Sequence, residues 1–455
     1  MSAKLEFPVP RGREQYAQYM QLSHIAMQMQ TSGWRVDLDR VEAHRIAAAE
    51  RQKRLGEIFK NLSHIADLGK DGQGNEIKKY FWDTLHLPVV SVDKKTKKPK
   101  LDAAALLAYA SESDNPRVVK SAAALYGYRK AGKTLSFCAE YAGSGGRIHP
   151  SYNVTGTKGS RWSCSKPNIQ QLPSKTTLFD FGDGPEVIAA SMKDVLVPDD
   201  GFILVDADWA ALELYLQTYI AGAKHLVREI ENDGDLHMYN ARVMFGEETI
   251  PQGATKKTHK LYRNVSKLAF GFAYNISDHV AQVHKTMKGF LPNVTEPMCK
   301  RMRAAYFSHH GEFPRWQQKT KSSVDNLGYV DTPLMGRRLY LPASSRGYNQ
   351  ALNSQCQITG GDLANLSIIK LFENCRWDEG EQIRAQVHDC FVMQTRPEWA
   401  HETAKKLTDA MTQPIEIYGQ TAKFVAEPAW GTDWGNMKDI DTYQMPTLER
   451  VQSCQ

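Results

Sequence analysis

Ile203-Leu-Val-Asp-Ala-Asp208-Trp-Ala-Ala-Leu-Glu213-Leu is an apolar strand pattern that runs into acid and then into a helical pattern. Its counterpart is Ile383-Arg-Ala-Gln-Val-His388-Asp389-Cys-Phe-Val-Met, two strand-like runs with a polar His-Asp at the bend. Taken singly, an aspartate at a strand end is most often a cap or turn residue. Two of them, each at the mouth of a strand, offer what two-metal phosphoryl chemistry needs. Hard divalent ions want oxygen ligands, and two ions roughly 3.5–4 Å apart can clamp both the attacking and the leaving oxygen.

Between these segments lies Tyr262-Arg263-Asn-Val-Ser-Lys267-Leu-Ala-Phe270-Gly-Phe-Ala-Tyr274. Arg263, Lys267, Phe270 and Tyr274 fall at i, i+4, i+7 and i+11, so on a helix they share one face. Such a face can hold a nucleoside triphosphate lengthwise, phosphates on the two cations and base on the two rings. Taken alone, the helix fits equally well as an amphipathic one with core aromatics and snorkelling cations.

In this order the three segments resemble motifs A, B and C of family A DNA polymerases, the bacterial polymerase I family with its phage and mitochondrial relatives. The resemblance extends over nearly the whole chain. Met27-Gln-Met-Gln-Thr-Ser-Gly33-Trp-Arg-Val-Asp37 resembles the helix that opens the polymerase module. The stretch from Arg147 through Asn153, Thr157, Arg161, Pro167, Asn168, Gln170 and Gln171 to Pro173 resembles the segment that grips the primer–template. Asp235-Leu-His237, Gly328-Tyr-Val-Asp-Thr, Gly336-Arg-Arg and Asn353-Ser-Gln-Cys-Gln357-Ile-Thr-Gly-Gly-Asp362-Leu follow in the family's order.

The resemblance implies an α+β right-hand polymerase fold, with an antiparallel palm sheet and helical thumb and fingers. The divisions expected are 1–140 for N-terminal helices and thumb, 141–221 for the first part of the palm, 222–345 for the fingers and 346–455 for the second part of the palm. It implies template-directed addition of deoxynucleotides to a primer 3′ end. Asp208 and Asp389 would hold two Mg²⁺ ions, with Mn²⁺ as a substitute and the Trp209 carbonyl as a further ligand. Arg263 and His237 would meet the outer phosphates and Lys267 the α-phosphate, while Phe270 and Tyr274 stack on the incoming base. Arg161, Gln357 and His388 suit minor-groove acceptors, which look nearly the same for all correct pairs. Asn168, Gln170 and Gln171 belong to the primer–template segment. Glu213, five residues after Asp208, would fill the space a ribose 2′-hydroxyl needs.

Single-subunit phage RNA polymerases are the alternative within the same chemistry, and they resemble this chain less at Glu213. A non-catalytic DNA-binding relative is the alternative from another class. Two carboxylates converging in a cleft, together with Lys267, argue against it.

Several positions depart from the family pattern. Tyr215 stands in place of an arginine, and Asn275 in place of a glycine. Cys390 follows Asp389 where an acid is usual, and a thiol is a poor Mg²⁺ ligand. Lys267 and Phe270 are separated by one residue fewer than usual. Anchoring on Phe270-Gly271 puts Ser266 in the lysine's place; the shared helix face favours Lys267.

With 455 residues the chain is too long for one compact core, so two or three subdomains are expected. A formal charge of +6 suits a polyanionic partner without proving one. The seven cysteines are odd in number and scattered, which favours reduced thiols and argues against a cysteine-based zinc site. The N-terminus has no apolar signal core and the chain no long apolar run, so a cytoplasmic protein without a membrane partner is expected, in the host cytoplasm if it is phage-encoded. Helical periodicity spans 14–60 and 102–140. Asp93-Lys-Lys-Thr-Lys-Lys-Pro-Lys100 breaks it. Such runs are usually solvated loops, but on a thumb Lys94, Lys95, Lys97 and Lys98 could track duplex phosphates. Only about 25 residues precede the opening helix, far short of the roughly 100 of a typical domain. A polymerase without in-chain proofreading is therefore expected, leaving room for a separate proofreading exonuclease or a processivity factor. A short polymerase with divergent motifs points to a phage or other mobile replicon.

Overall fold

A computed structural model describes residues 13–69, 74–93, 96, 98–157, 159–255, 257–266, 268–274, 283–284, 287 and 294–445. Its centre is a five-stranded antiparallel sheet in the order Gln382–Val387, Cys390–Thr395, Ile203–Trp209, Ala426–Gly431, Lys438–Asp439. The middle strand is the apolar run of the first motif. Leu204, Val205 and Ala207 are fully buried in it, which is why it shows no polar alternation until its acidic end. Alternation along a strand puts Asp206 and Asp208 on one face.

The second motif forms the hairpin its sequence suggests, with His388 and Asp389 as the turn between paired strands. His388 takes φ 56°, a left-handed conformation that histidine visits more readily than most residues. The helix Ala400–Met411 packs on this sheet, the helix Ser345–Asn374 packs against Ala400–Met411, and both share its core.

The N-terminal periodicity resolves into two helices, Arg13–Ser32 and Leu38–Ser63, separated by the short strand Trp34–Val36. Gly33 makes the break at φ +63°, and a Cβ there would sit 2.6 Å from the Ile148 carbonyl oxygen. Asp37 caps the second helix by accepting from Arg40 N–H at 3.0 Å. That helix pairs with Pro116–Ala142 around its own apolar cluster, including Phe59, Phe81, Leu106 and Leu125, separate from the main core. Among the described residues the buried apolar side chains thus form more than one cluster. Within the lysine-rich run, Lys100 pairs with Asp93 at 3.0 Å across the small hairpin Ser91–Val92 and Pro99–Lys100.

From Leu212 to Leu327 the described elements are helices. Distant family-like segments meet in the core: Arg337 Nε donates to the buried Asp362 at 2.8 Å, and its other end reaches the Tyr19 hydroxyl at 2.7 Å. Among the described residues, no helix is long and apolar enough to cross a membrane. The six described cysteines are unpaired thiols.

Candidate active site

Sheet register builds the site. Asp208 lies opposite Cys390 on one neighbouring strand and opposite Glu427 on the other. The Trp209 N–H donates to the Asp389 carbonyl at 3.2 Å, which fixes the hairpin turn beside the end of the first motif. The two predicted aspartates are thereby brought together. Burial raises the Asp208 pKa to about 6, the Asp389 carboxylate adds to the rise, Lys193 opposes it, and Glu427 adds again. Asp206, on the same face, is pushed up to about 7, chiefly by burial, with Lys193 opposing and Asp208 contributing. Acids crowded so that their charged forms are costly form a site that favours a cation, and their oxygens are the hard donors a divalent ion takes.

Cys390 does not replace the missing acid. Burial holds its thiol well above the usual range, and Sγ–H points to Asp206 Oδ2 at 3.9 Å. Glu427, Asp206 and Lys193 were not foreseen. Asp206 was visible inside the first motif but read as strand. Nothing local in Glu427-Pro-Ala or around Lys193, whose ammonium sits 3.9 Å from the Trp434 ring centre, marks either as a neighbour of Asp208.

Glu213 sits in the first turn of the Leu212–Ala221 helix, which starts after Ala211 at φ 54°. It accepts from the Tyr274 hydroxyl at 3.3 Å and also hydrogen-bonds Gln357. Burial raises its pKa, Arg161 lowers it and Asp389 raises it further, so Glu213 lies within electrostatic reach of both groups. Tyr274 differs from expectation. It is 1 % exposed, tilted against Trp316 at 6.4 Å, so its ring offers no open stacking face here. Burying a tyrosine requires a partner for its hydroxyl, and Glu213 supplies one.

Arg161 approaches Asp389 Oδ1 at 3.7 Å. It also lines a 270 Å³ cleft with Asn168, Gln170, Gln171, Gln386 and His388, so five predicted DNA contacts share one hollow. Gln170 donates to the Gln386 carbonyl at 3.2 Å and Gln386 to the His388 carbonyl at 2.8 Å, which ties the loop to the hairpin turn. Gln357 is outside that cleft, beside Glu213.

Arg263 and His237 are brought together by Asp235. Its carboxylate caps the Leu236–Phe245 helix, accepting from His237 N–H at 2.9 Å, and takes Arg263 Nε at 2.6 Å. Tyr215, in the arginine's place, is 8 % exposed and lies in the fields of Asp235 and Glu427. The described helical pieces Lys260–Ser266 and Leu268–Ala273 flank Lys267, which lies outside the described residues, as do Lys94, Lys95 and Lys97. The side chain of Phe270 is likewise outside them. Ser266 is buried and donates to the Arg263 carbonyl at 2.8 Å, so it faces its own helix. Lys98 is exposed, and its carbonyl accepts from Asp93 N–H at 2.8 Å.

Comparison with known proteins gives a consistent result. The family described as DNA polymerase family A matches residues 42–436. The thermostable DNA polymerase I of Thermus aquaticus is 27 % identical over 438 residues, covering 92 % of this chain and 48 % of that protein. DNA polymerase I of Mycobacterium tuberculosis is 24 % identical, over 87 % of this chain and 42 % of that protein. The chain thus spans about half the length of the curated relatives it matches. Among solved structures, the POL domain of Pol1 from M. smegmatis, in complex with DNA primer-template and dNTP, shares the fold. Its TM-score is 0.73 at 21 % identity, over 92 % of this chain and 70 % of that one.

Proposed function

The chain belongs to DNA polymerase family A, and from that premise we propose that it extends a DNA primer with deoxynucleotides chosen by a template strand. One observation carries this reading: the register that sets Asp208 against the Asp389 turn, with Glu213 at the start of the next helix.

Asp208 and Asp389, with the Trp209 carbonyl, are the groups to hold divalent metal, on which the family depends. Two Mg²⁺ ions, or Mn²⁺ in their place, when bound would supply Lewis-acid activation of the primer hydroxyl and charge neutralisation at the departing pyrophosphate. Arg263 and His237, oriented by Asp235, take the outer phosphates, and Lys267 takes the α-phosphate side. Glu213 discriminates between sugars, held in place by Tyr274 and Gln357. Phe270 provides the stacking ring, and the Tyr274 hydroxyl holds Glu213. Arg161, Asn168, Gln170, Gln171 and His388 line a cleft fitted to the primer–template, and their amide and guanidinium groups suit sequence-independent minor-groove contacts. Lys94, Lys95, Lys97 and Lys98 are assigned to duplex phosphates.

The decisive test is extension of a labelled primer on a template with Mg²⁺ and the four deoxynucleotides. Asp208→Asn and Asp389→Asn should each lower turnover at least about 10³-fold, since loss of a principal ligand costs several kcal/mol and each 1.36 kcal/mol is tenfold. Primer–template affinity should stay nearly unchanged. Failure of the wild type to extend, or survival of either variant's activity above a tenth, would defeat the assignment.

A further inference from the structure

Three histidines from two distant parts of the chain converge in the helical region. His225 lies at the start of the Lys224–Glu231 helix, His309 ends the Glu296–His309 helix, and His310 follows it before the Glu312–Leu327 helix. One ring nitrogen from each lies within 4.8 Å of the others. His225 Nε2 and His310 Nδ1 are 2.8 Å apart. The His225 and His310 rings are stacked at 5.0 Å, and His309 stands edge-on to both.

The outer nitrogen of His309 is already held, and a carboxylate lies near that of His225. The Tyr239 hydroxyl meets His309 Nε2 at 2.7 Å, and Glu312 approaches His225 Nδ1 at 3.9 Å. Metal-binding imidazoles show this arrangement, one nitrogen held by a carboxylate or hydroxyl and the other turned inward. His310 is fully buried, and Tyr306 packs its ring against it at 4.6 Å. His310 Nε2, the nitrogen turned away from the cluster, has no hydrogen-bond partner among the described residues and calls for a water of its own.

We propose that His225 Nε2, His309 Nδ1 and His310 Nδ1 form a binding site for a transition-metal ion of the Zn²⁺ class. Imidazole nitrogens suit Zn²⁺ and its neighbours and not Mg²⁺. Partial burial lowers the His225 pKa, and full burial lowers that of His310 to about 3, with His225 and His309 adding to the fall, so neither ring need lose a charge to ligate at neutral pH. Zn–N bonds of about 2.0–2.1 Å in a tetrahedral site place ligand nitrogens roughly 3.3 Å apart. The His225–His310 pair therefore opens by about half an ångström and His309 closes in. For both rings to ligate, each neutral imidazole carries its one proton on the other nitrogen, His225 on Nδ1 and His310 on Nε2. The fourth position is left to water.

The ion would clamp the Lys224–Glu231 helix to the joint between the two longer helices. Through Tyr306, whose ring is 5.5 Å from that of Phe272, the clamp braces the Leu268–Ala273 helix. It is a structural role, independent of the polymerase assignment.

Co²⁺ titration of the whole chain in excess Mg²⁺ tests this, because Mg²⁺ fills oxygen sites and leaves imidazole sites free. Wild type and Asp208→Asn should each bind a single Co²⁺ with the visible absorption of a nitrogen-ligated tetrahedral ion. Zn²⁺ should displace it and raise the thermal midpoint. His225→Asn and His309→Gln should weaken binding beyond the roughly 10–100-fold that an outer-shell change costs. His309 is exposed, so His309→Gln keeps the fold and decides the matter should His225→Asn unfold. Absence of stoichiometric Co²⁺ in wild type, or an unchanged spectrum in His309→Gln, overturns the site.

Discussion

The Tyr274 hydroxyl donates to Glu213 Oε1 across 3.3 Å, and so joins the end of the Leu268–Ala273 helix to the first turn of the Leu212–Ala221 helix. A hydrogen bond to a charged group contributes about 1.5–3 kcal/mol. Glu213, the proposed sugar gate, is therefore positioned by the segment proposed to carry the incoming nucleotide, and its position reports on that segment.

Tyr274→Phe should accordingly lower discrimination against ribonucleotides about tenfold, by freeing the Glu213 carboxylate. Glu213→Ala should lower it further, by removing the obstruction itself. The measurement is the ratio of kcat/KM for a deoxynucleotide to that for its ribonucleotide. An unchanged ratio in Glu213→Ala would move the gate to Trp209 or Tyr215, and a wild-type preference for ribonucleotides would favour an RNA polymerase.

Asp208 gives a pH prediction with a definite sign. Its folded pKa, about 6, exceeds the ordinary 3.8, so the folded state holds the proton more tightly. The resulting stability is present in full below about pH 4 and is lost as pH rises through 6. Without metal, Asp208→Asn should match wild type near pH 4 and exceed it above pH 6, by on the order of 1 °C in Tm because the group is partly open to solvent. Saturating divalent metal should reverse that order. Thermal melts at both pH values, with chelator and with metal, are the check.

Asp235 both caps a helix and holds Arg263. Asp235→Asn retains a good cap but loses the ion pair, whereas Asp235→Ala loses both. The Asn variant should raise KM for deoxynucleotides several-fold with Tm nearly unchanged. The Ala variant should also lose about 1 kcal/mol of stability. Equal kinetic constants in wild type and Asp235→Asn would show that the pair does not orient Arg263.

Arg161 belongs both to the Asp389 surroundings and to the cleft proposed to take the primer–template. Arg161→Ala should weaken primer–template binding by about 1–2 kcal/mol, close to tenfold, to a similar degree for every terminal base pair. Affinity measured across the four terminal pairs tests this; a loss confined to one pair would mean base-specific recognition.

The sequence by itself determined the elements and their chemistry. The apolar run ending in Asp208, the hairpin turning at His388-Asp389, and the spacing of Asp208 to Glu213 are local patterns. Strand, turn and helix periods follow from backbone geometry within a few residues. Resemblance supplied the order in which they assemble, and the matched family agrees with it. Only the tertiary structure decided which residues from separate segments share a space. Glu427 faces Asp208 because two strands far apart in the chain pair in one register. Lys193 opposes the rise at Asp206 because the short turn Lys193–Val195 packs against Trp434, just beyond the Ala426–Gly431 strand. Tyr274 turns inward instead of presenting its ring, because the Glu213 carboxylate is there to satisfy its hydroxyl. His225 shares no spacing motif with His309 and His310; helix packing alone brings their nitrogens together. Periodicity encodes which face of an element is buried, but electrostatic partnership depends on distances between faces, and those are set by register and packing across the whole molecule.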